Sequence, residues 1–148
     1  MVHALEEIHR LLKPAGTLIE IHPDVDAPPF VEVRSHGARS FREDDPVFDY
    51  AIDLRRANEA VATVVDRGVF LLDARRRFEL RTYAGSVTEL RDHWAFVGAY
   101  DPEEPEEGLA RRRDEMYARA QEALQRSPGA EIVYVEPATM SRLAPVGS

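Results

Sequence analysis

The hydrophobic pattern at the start of the chain changes from the period of a helix to that of a strand. Apolar residues recur every three or four positions over residues 2–13, which predicts an amphipathic helix. Residues 17–21 are apolar and rich in β-branched side chains, which is typical of a buried strand with a neighbour on both sides. Pro14 and Gly16 separate the two elements. A helix that leads into a strand is therefore expected here.

A hairpin and a second helix are predicted next. Valines alternate with charged residues before His36-Gly37, a turn pair, so residues 30–43 are expected to form a β-hairpin or a loose flap. An apolar face over residues 47–67 predicts a helix that Asp45-Pro46 caps and Gly68 ends.

The second half of the chain shows the same two periods. Alternation over residues 70–83 predicts a strand, after which Ser86 and Glu89 form the capping-box pattern that starts a helix. A longer, mostly charged helix over residues 109–125 is expected to lie on the outside, with Met116, Ala120 and Leu124 as a sparse inner stripe. A last strand follows over residues 131–136, which Pro137 is expected to end.

Composition narrows the class of protein. The chain has 148 residues, which is enough for one core, and we expect a single domain over residues 1–148. Cysteine is absent, which excludes disulfides and cysteine-bound zinc. No apolar run reaches the roughly 20 residues of a membrane span, and Glu6 and Glu7 stand where a signal peptide is apolar. We therefore expect a cytoplasmic protein with no membrane partner.

Charge and spacing exclude further classes. The net charge of −8 argues against a nucleic-acid partner, because that affinity comes mostly from clustered Lys and Arg. The arginine runs at 75–77 and 111–113 could seat a phosphate or an acidic partner, but we interpret them as solvated turn and helix surface. No group of histidines and carboxylates has ligand spacing, so no metal is expected.

The first helix and strand also contain a short motif. The chain matches the pattern R-x-L-(K/R)-P-G-G at Arg10, Leu12, Lys13, Pro14 and Gly16, with Ala15 in place of the first glycine. In this motif the chain resembles the late segment of class I S-adenosylmethionine-dependent methyltransferases, where the motif ends the helix before the fifth strand. The resemblance covers most of this chain but only the C-terminal half of the family's fold.

The resemblance implies an α/β fold, specifically a partial Rossmann-like methyltransferase sheet of late strands and helices with a β-hairpin insertion. In the family, the fifth strand is followed by a helix, a sixth strand, and a seventh strand that inserts antiparallel between the fifth and the sixth. The predicted helix at 47–67 and the strands at 78–83 and 131–136 would fill those places.

The resemblance implies S-adenosylmethionine as the family's cofactor, but no residue here matches the family's cofactor site. The sequence has no G-x-G-x-x-G, and the glycine-rich turn and the acidic residue of the family have no counterpart. We therefore expect no cofactor to bind this chain alone. A separate N-terminal half is expected to supply those parts, since the first residue already matches the helix after the family's fourth strand.

Four residues are candidates for contact with a methyl acceptor. His22 and Asp24 follow the first strand at its carboxyl end, where open α/β sheets place ligands, and His22 could act as a base. Alternatively, His22 hydrogen-bonds the backbone where the strand stops. His93 and Trp94 could line a pocket, although an aromatic side chain at helical spacing is more often part of the core. The catalytic residue itself is not identified.

Three functions stay open. The first is the C-terminal portion of a methyltransferase, inactive as an isolated chain; the intact family transfers a methyl group from a sulfonium to a nucleophile by in-line displacement. The second is a non-catalytic interaction module, in which the apolar edge of the first strand pairs with a second copy to form a homodimer. The third is a small-molecule-binding domain, whose ligand the sequence does not name.

Overall fold

Helices and strands follow one another along the chain in the predicted order. The structure, a computed structural model, describes residues 1–13, 15–47, 51–98 and 107–147. The helices are α1 (Val2–Leu11), α2 (Ala51–Asp66), α3 (Val87–Gly98) and α4 (Glu107–Arg126), and the strands are β1 (Leu18–Pro23), β2 (Phe30–Ser35), β3 (Ala38–Asp44), β4 (Phe70–Ala84) and β5 (Glu131–Pro145). The α/β class is therefore confirmed. The predicted helix stop at Pro14 and residues 48–50 of the predicted second helix lie outside the described residues.

The strands form one antiparallel sheet in which β5 has the most partners. β1 pairs with the second half of β5, where Leu18 lies opposite Leu143. β2 pairs with the first half, where Phe30 lies opposite Val135, and β3 pairs with β2. β4 pairs with β5 as well.

β1 and β4 lie on opposite edges of β5. The N–H of Val146 donates to the carbonyl of Val69 at 3.0 Å, and the side chain of Arg75 donates to that of Ser141 at 3.1 Å. Because residue numbers fall along β5 as they rise along β4, these two strands are antiparallel. Ser141 also lies opposite Glu20 of β1. The second half of β5 is therefore inserted between β1 and β4.

The chain divides into two compact units. The first comprises Met1–Ala27, Tyr50–Phe78 and Pro137–Ser148. Its core joins α1 and α2 to the sheet through buried apolar side chains: Leu5, Ala60, Val61, Val64, Phe70 and Leu143. Gly68 ends α2 with a φ of 69°, as its position after the apolar face predicts.

The second unit comprises Pro28–Asp49 and Glu79–Glu136. The predicted hairpin is confirmed, and its turn holds His36 at a φ of 51° and Gly37 at 82°. The Ser86 hydroxyl accepts a hydrogen bond from the N–H of Glu89 at 3.1 Å, which confirms this half of the capping box. The Glu89 carboxylate returns to the N–H of Gly85 at 2.8 Å, one residue before the expected position.

Two expectations about burial and length are wrong. The first strand was expected to be buried between two neighbours, but β1 pairs only with β5 among the described residues. On one of its faces, Ile19 is 48 % exposed and Ile21 is 55 % exposed. The prediction for α4 is confirmed: Met116 and Ala120 are buried in the core of the second unit, Leu124 packs against it, and most of the other side chains of the helix are exposed.

The last strand continues past Pro137 to Pro145 instead of ending there. Proline has no N–H to donate, so it normally interrupts a ladder. Here the pairing with β2 ends at Val135 and the pairing with β1 begins at Ala138, so no partner requires an N–H at Pro137. Its carbonyl still accepts a hydrogen bond from the N–H of Asp24 at 2.8 Å. No helix in the described ranges is both long and apolar enough to cross a membrane.

Candidate functional site

A cavity of about 350 Å³ lies in the first unit, where β1 ends beside α2 and the strands β4 and β5. This volume is at the lower end of the range for small-molecule sites. The polar side chains that line it include Asp24, Asp26, Glu59, Arg75, Arg77 and Thr139. Among the sequence candidates, only Asp24 reaches the lining.

Asp24 is held firmly at the end of β1. Its side chain is 4 % exposed, and its N–H donates to the carbonyl of Pro137. The carboxylate accepts a hydrogen bond from the N–H of Asp26 at 3.1 Å and lies 2.8 Å from the guanidinium Nε of Arg77. A buried carboxylate is tolerated when it is paired in this way, so Asp24 and Arg77 form one wall of the cavity.

His22 and Glu20 share the face of the sheet that the cavity lining uses. His22 lies directly opposite Thr139, and Glu20 lies directly opposite Ser141, so these side chains point to the same side. The Nδ1 atom of His22 is 2.6 Å from the carbonyl oxygen of Pro23. Because a carbonyl only accepts hydrogen bonds, we assign a proton to Nδ1. The histidine therefore does bond the backbone, as the alternative interpretation stated.

The other nitrogen of His22 lacks a hydrogen bond. Nε2 lies 3.4 Å from a carboxylate oxygen of Glu20, yet neither this nitrogen nor the second oxygen of Glu20 has a hydrogen-bond partner among the described residues. His22 is 8 % exposed. Buried polar atoms without partners are rare in proteins and are found disproportionately where function requires them. The Nε2 atom of His22 thus faces a carboxylate in a buried polar cluster without forming a hydrogen bond.

The arginines at 75–77 belong to the middle of β4 rather than to a turn, and all three are exposed, as interpreted. Arg75 and Arg77 are two residues apart and therefore lie on one face of the strand, the face that lines the cavity. Arg76 lies on the other face, beside Ile19. The alternation predicted for the strand over residues 70–83 already implies that Arg75 and Arg77 lie on one face and Arg76 on the other. Glu59, Ser141 and Thr139 carry no comparable sequence signal.

His93 and Trp94 lie in the second unit on α3. His93 is exposed, and Trp94 is half-buried with its ring centroid 4.6 Å from that of Tyr134. Trp94 packs against the core of this unit and also lines a cavity of about 370 Å³ between α3 and α4, so both interpretations of this residue hold, whereas His93 does not reach that lining. The structure thus places His22 and Asp24 together in one unit and His93 and Trp94 together in the other.

In the second arginine run, Arg111 and Arg112 are exposed as interpreted, and only Arg113 differs. Arg113 donates two hydrogen bonds to Asp45, whose side chain is 1 % exposed. Asp45 also accepts a hydrogen bond from the N–H of Val47 at 2.9 Å, which is the local contact expected of a helix cap. Its ion pair with Arg113, in contrast, joins distant parts of the chain. Sequence spacing could not show this pair, because its members are separated by 68 residues.

The residues present do not fit the cofactor that the resemblance implies. Its carboxylate and ribose require a glycine turn with free backbone N–H groups between a strand and a helix. The strand-to-helix turn that contains a glycine is Gly85-Ser86, and the side chains of Glu89 and Ser86 already occupy the N–H groups of Gly85 and Glu89. In the described part of the chain, no group of three or more His, Asp or Glu side chains could hold a metal ion.

Comparisons of this chain with protein-family models, with curated proteins and with solved structures gave no match. The proposals below therefore depend on the residues and contacts of the chain itself.

Proposed function

We propose that this chain is the acceptor side of a class I S-adenosylmethionine-dependent methyltransferase, with a partial Rossmann-like sheet, and that it does not bind the cofactor by itself. The observation that carries the proposal is the position of β5 between β1 and β4, antiparallel to both. The resembled family inserts its last strand in this way. The hydrophobic pattern predicts the strands but not their order, so the agreement supports the resemblance independently of the motif.

The motif itself has a physical basis at its second glycine. The N–H of Gly16 donates to the carbonyl of Lys13 at 2.7 Å, and a Cβ on Gly16 would stand 2.9 Å from that carbonyl oxygen. Only glycine fits so tight a turn without a shift of the backbone. The turn directs the chain from α1 into β1, and this supports reading the motif as a helix-to-strand junction rather than a chance match.

In this proposal, the cavity at the carboxyl end of β1 holds the methyl acceptor. Asp24 and Arg77 form a paired wall that orients it. His22, which lies opposite Thr139 of the lining but outside the lining itself, would receive the proton that a nucleophile loses. In this role a neutral His22 would donate its Nδ1–H to Pro23 and would take the proton on Nε2, which forms no hydrogen bond and faces Glu20 at 3.4 Å. The role proposed for His22 therefore depends on its assigned tautomer and on the absence of a hydrogen bond at Nε2.

Titration calorimetry of the purified chain with S-adenosylhomocysteine tests the cofactor part of the proposal. We expect no saturable binding by a sample whose circular dichroism shows a folded protein. Saturable binding in the micromolar range would mean that the chain contains its own cofactor site, and the acceptor-side proposal would be wrong.

A second experiment tests the acceptor part. The tagged chain is purified from its own cells, and transfer of a labelled methyl group from S-adenosylmethionine to small acceptors is measured. We expect activity only in fractions that contain a second polypeptide, and less of it in the His22→Gln variant. Activity from this chain alone, or none in any fraction, contradicts the proposal.

A homodimerisation module is the second candidate, and the exposed face of β1 favours it. Ile19 and Ile21 are about half exposed, and the other edge of β1 has no strand partner among the described residues. The occupant we propose is a second copy of β1. An antiparallel pair centred on Ile21 would place Glu20 of each copy opposite His22 of the other, which is a complementary pairing. Sedimentation equilibrium distinguishes a dimer from a monomer.

A further inference from the structure

The charges that line the cavity of the first unit are not all neutralised by one another. Arg77 is 2.8 Å from Asp24 and 3.6 Å from Asp26, so these three side chains form one ion-paired group. Arg75 and Glu59 also line the cavity. Neither belongs to that group.

Arg75 and Glu59 keep most of their binding capacity. Arg75 donates its Nε–H to the Ser141 hydroxyl at 3.1 Å and forms no ion pair with a described residue. The carboxylate of Glu59 has no hydrogen bond or ion pair with the residues that the structure describes, since only its backbone carbonyl is used, by Thr63. One cavity is thus lined by an exposed cation on β4 and an exposed anion on α2, neither of which forms an ion pair with a described residue.

We propose that this cavity binds a small zwitterion, an α-amino acid or a compound with the same two groups. The guanidinium of Arg75 would bind the ligand's carboxylate, because its planar fork of N–H donors matches two carboxylate oxygens. The carboxylate of Glu59 would bind the ligand's ammonium. His22 lies outside the lining but on the same face of the sheet as Thr139, which belongs to it.

This inference deepens the proposed function, since the same cavity would hold the methyl acceptor. The bound ammonium would first lose a proton to His22, and the amine nitrogen would then bond to the methyl carbon as the sulfonium C–S bond breaks. The inference requires no cofactor for its test. Binding by the chain alone is therefore measured separately from methyl transfer, and the failure of one does not imply the failure of the other.

Ligand-observed NMR titration of the purified chain with L-alanine, L-leucine and L-arginine tests the inference. Each amino acid is compared with its N-acetyl derivative, which lacks the ammonium, and with its methyl ester, which lacks the carboxylate. We expect at least one free amino acid to bind saturably, and each blocked form of it to bind about tenfold more weakly or not at all.

Variants assign the two charges. Arg75→Gln is expected to abolish the preference for the free acid over the methyl ester, and Glu59→Gln to abolish the preference for the free amine over the N-acetyl form. Arg76→Gln and Asp66→Asn are matched controls on the same strand and helix, outside this cavity, and should leave both preferences unchanged. No binding by the folded chain, equal binding of blocked and free forms, or equal effects in the controls would overturn the inference.

Discussion

The carboxylate of Asp45 accepts two hydrogen bonds from the guanidinium of Arg113, one on each oxygen and both at 2.9 Å. The hydroxyl of Tyr134 donates to the same carboxylate at 3.0 Å. Burial disfavours the charged form of Arg113, but the hydrogen bonds and the charge of Asp45 outweigh it, so the pKa of Arg113 lies above its ordinary value. The pair joins the end of β3 to α4 within the second unit.

Removal of this charge should destabilise the protein. We expect Asp45→Asn to lower the free energy of unfolding by about 3 kcal/mol, because Arg113 is left half-buried without a counter-charge. Urea denaturation followed by the fluorescence of the single tryptophan, Trp94, measures the change. The neighbouring Asp44→Asn is the control, since Asp44 is 59 % exposed, and it should change the value by less than about 0.5 kcal/mol. Equal losses in the two variants would contradict the assignment.

Stability should fall in strong alkali because of Tyr117. Burial, together with the negative charge of Asp45, raises the pKa of Tyr117 to about 12. The same phenol titrates near pH 10 in the unfolded chain. Its contribution to the free energy of unfolding is therefore fully present below about pH 10 and is lost as the pH rises to about 12. We expect a loss of about 2 kcal/mol from this residue over that interval. In urea denaturation at a series of pH values, Tyr117→Phe should remove this loss of the free energy of unfolding. Tyr83→Phe, at an exposed position, should not remove it.

The buried pair of Glu20 and His22 should reduce stability rather than provide it. Both side chains retain a polar atom without a hydrogen bond among the described residues. We expect the double variant Glu20→Leu, His22→Leu to raise the free energy of unfolding by about 1 kcal/mol or more, because apolar side chains of similar size pack there without that penalty. Urea denaturation gives the value. A loss of stability would show that the pair is structural and would remove the argument for a functional His22.

Formation of a homodimer through β1 should depend on Ile21. Ile21→Lys should keep the chain monomeric in sedimentation equilibrium at concentrations where the unsubstituted chain is a dimer, because a lysine on the paired strand opposes edge-to-edge contact. Leu80→Lys is the control, since Leu80 is similarly exposed on β4. A monomer before any substitution, or equal effects of the two lysines, would count against the dimer.

The turn between α1 and β1 should not tolerate a side chain at Gly16. Gly16→Ala places a Cβ 2.9 Å from the carbonyl oxygen of Lys13, and we expect the free energy of unfolding to fall by about 1 to 3 kcal/mol. In Gly108→Ala the new Cβ meets nothing within 4 Å, so this variant should be neutral or slightly stabilising in α4. The midpoint temperatures of thermal unfolding of the two variants and of the unsubstituted chain are compared. An unchanged Gly16→Ala would show that the motif glycine has no structural role.

Elements with a strong local signal could be predicted from the sequence. The hairpin turn at His36-Gly37, the stop at Gly68 and the cap at Ser86 all depend on contacts or dihedral angles within a few residues. The candidate site was predicted only in part: Asp24 lines the cavity and His22 shares its sheet face, whereas Arg75 and Arg77 were assigned to surface. Contacts such as Asp24 with Arg77 join positions far apart in the chain, and spacing does not encode them.

By itself, the sequence determined the elements of this protein, their order and the tight turn at Gly16, because hydrophobic period, capping and glycine geometry act over a few residues. Only the tertiary structure decided that β5 continues past Pro137 between β1 and β4, that Asp45 pairs with Arg113, and that Arg75 and Glu59 line one cavity. These depend on which strands become neighbours, and that choice is made by packing of the whole chain.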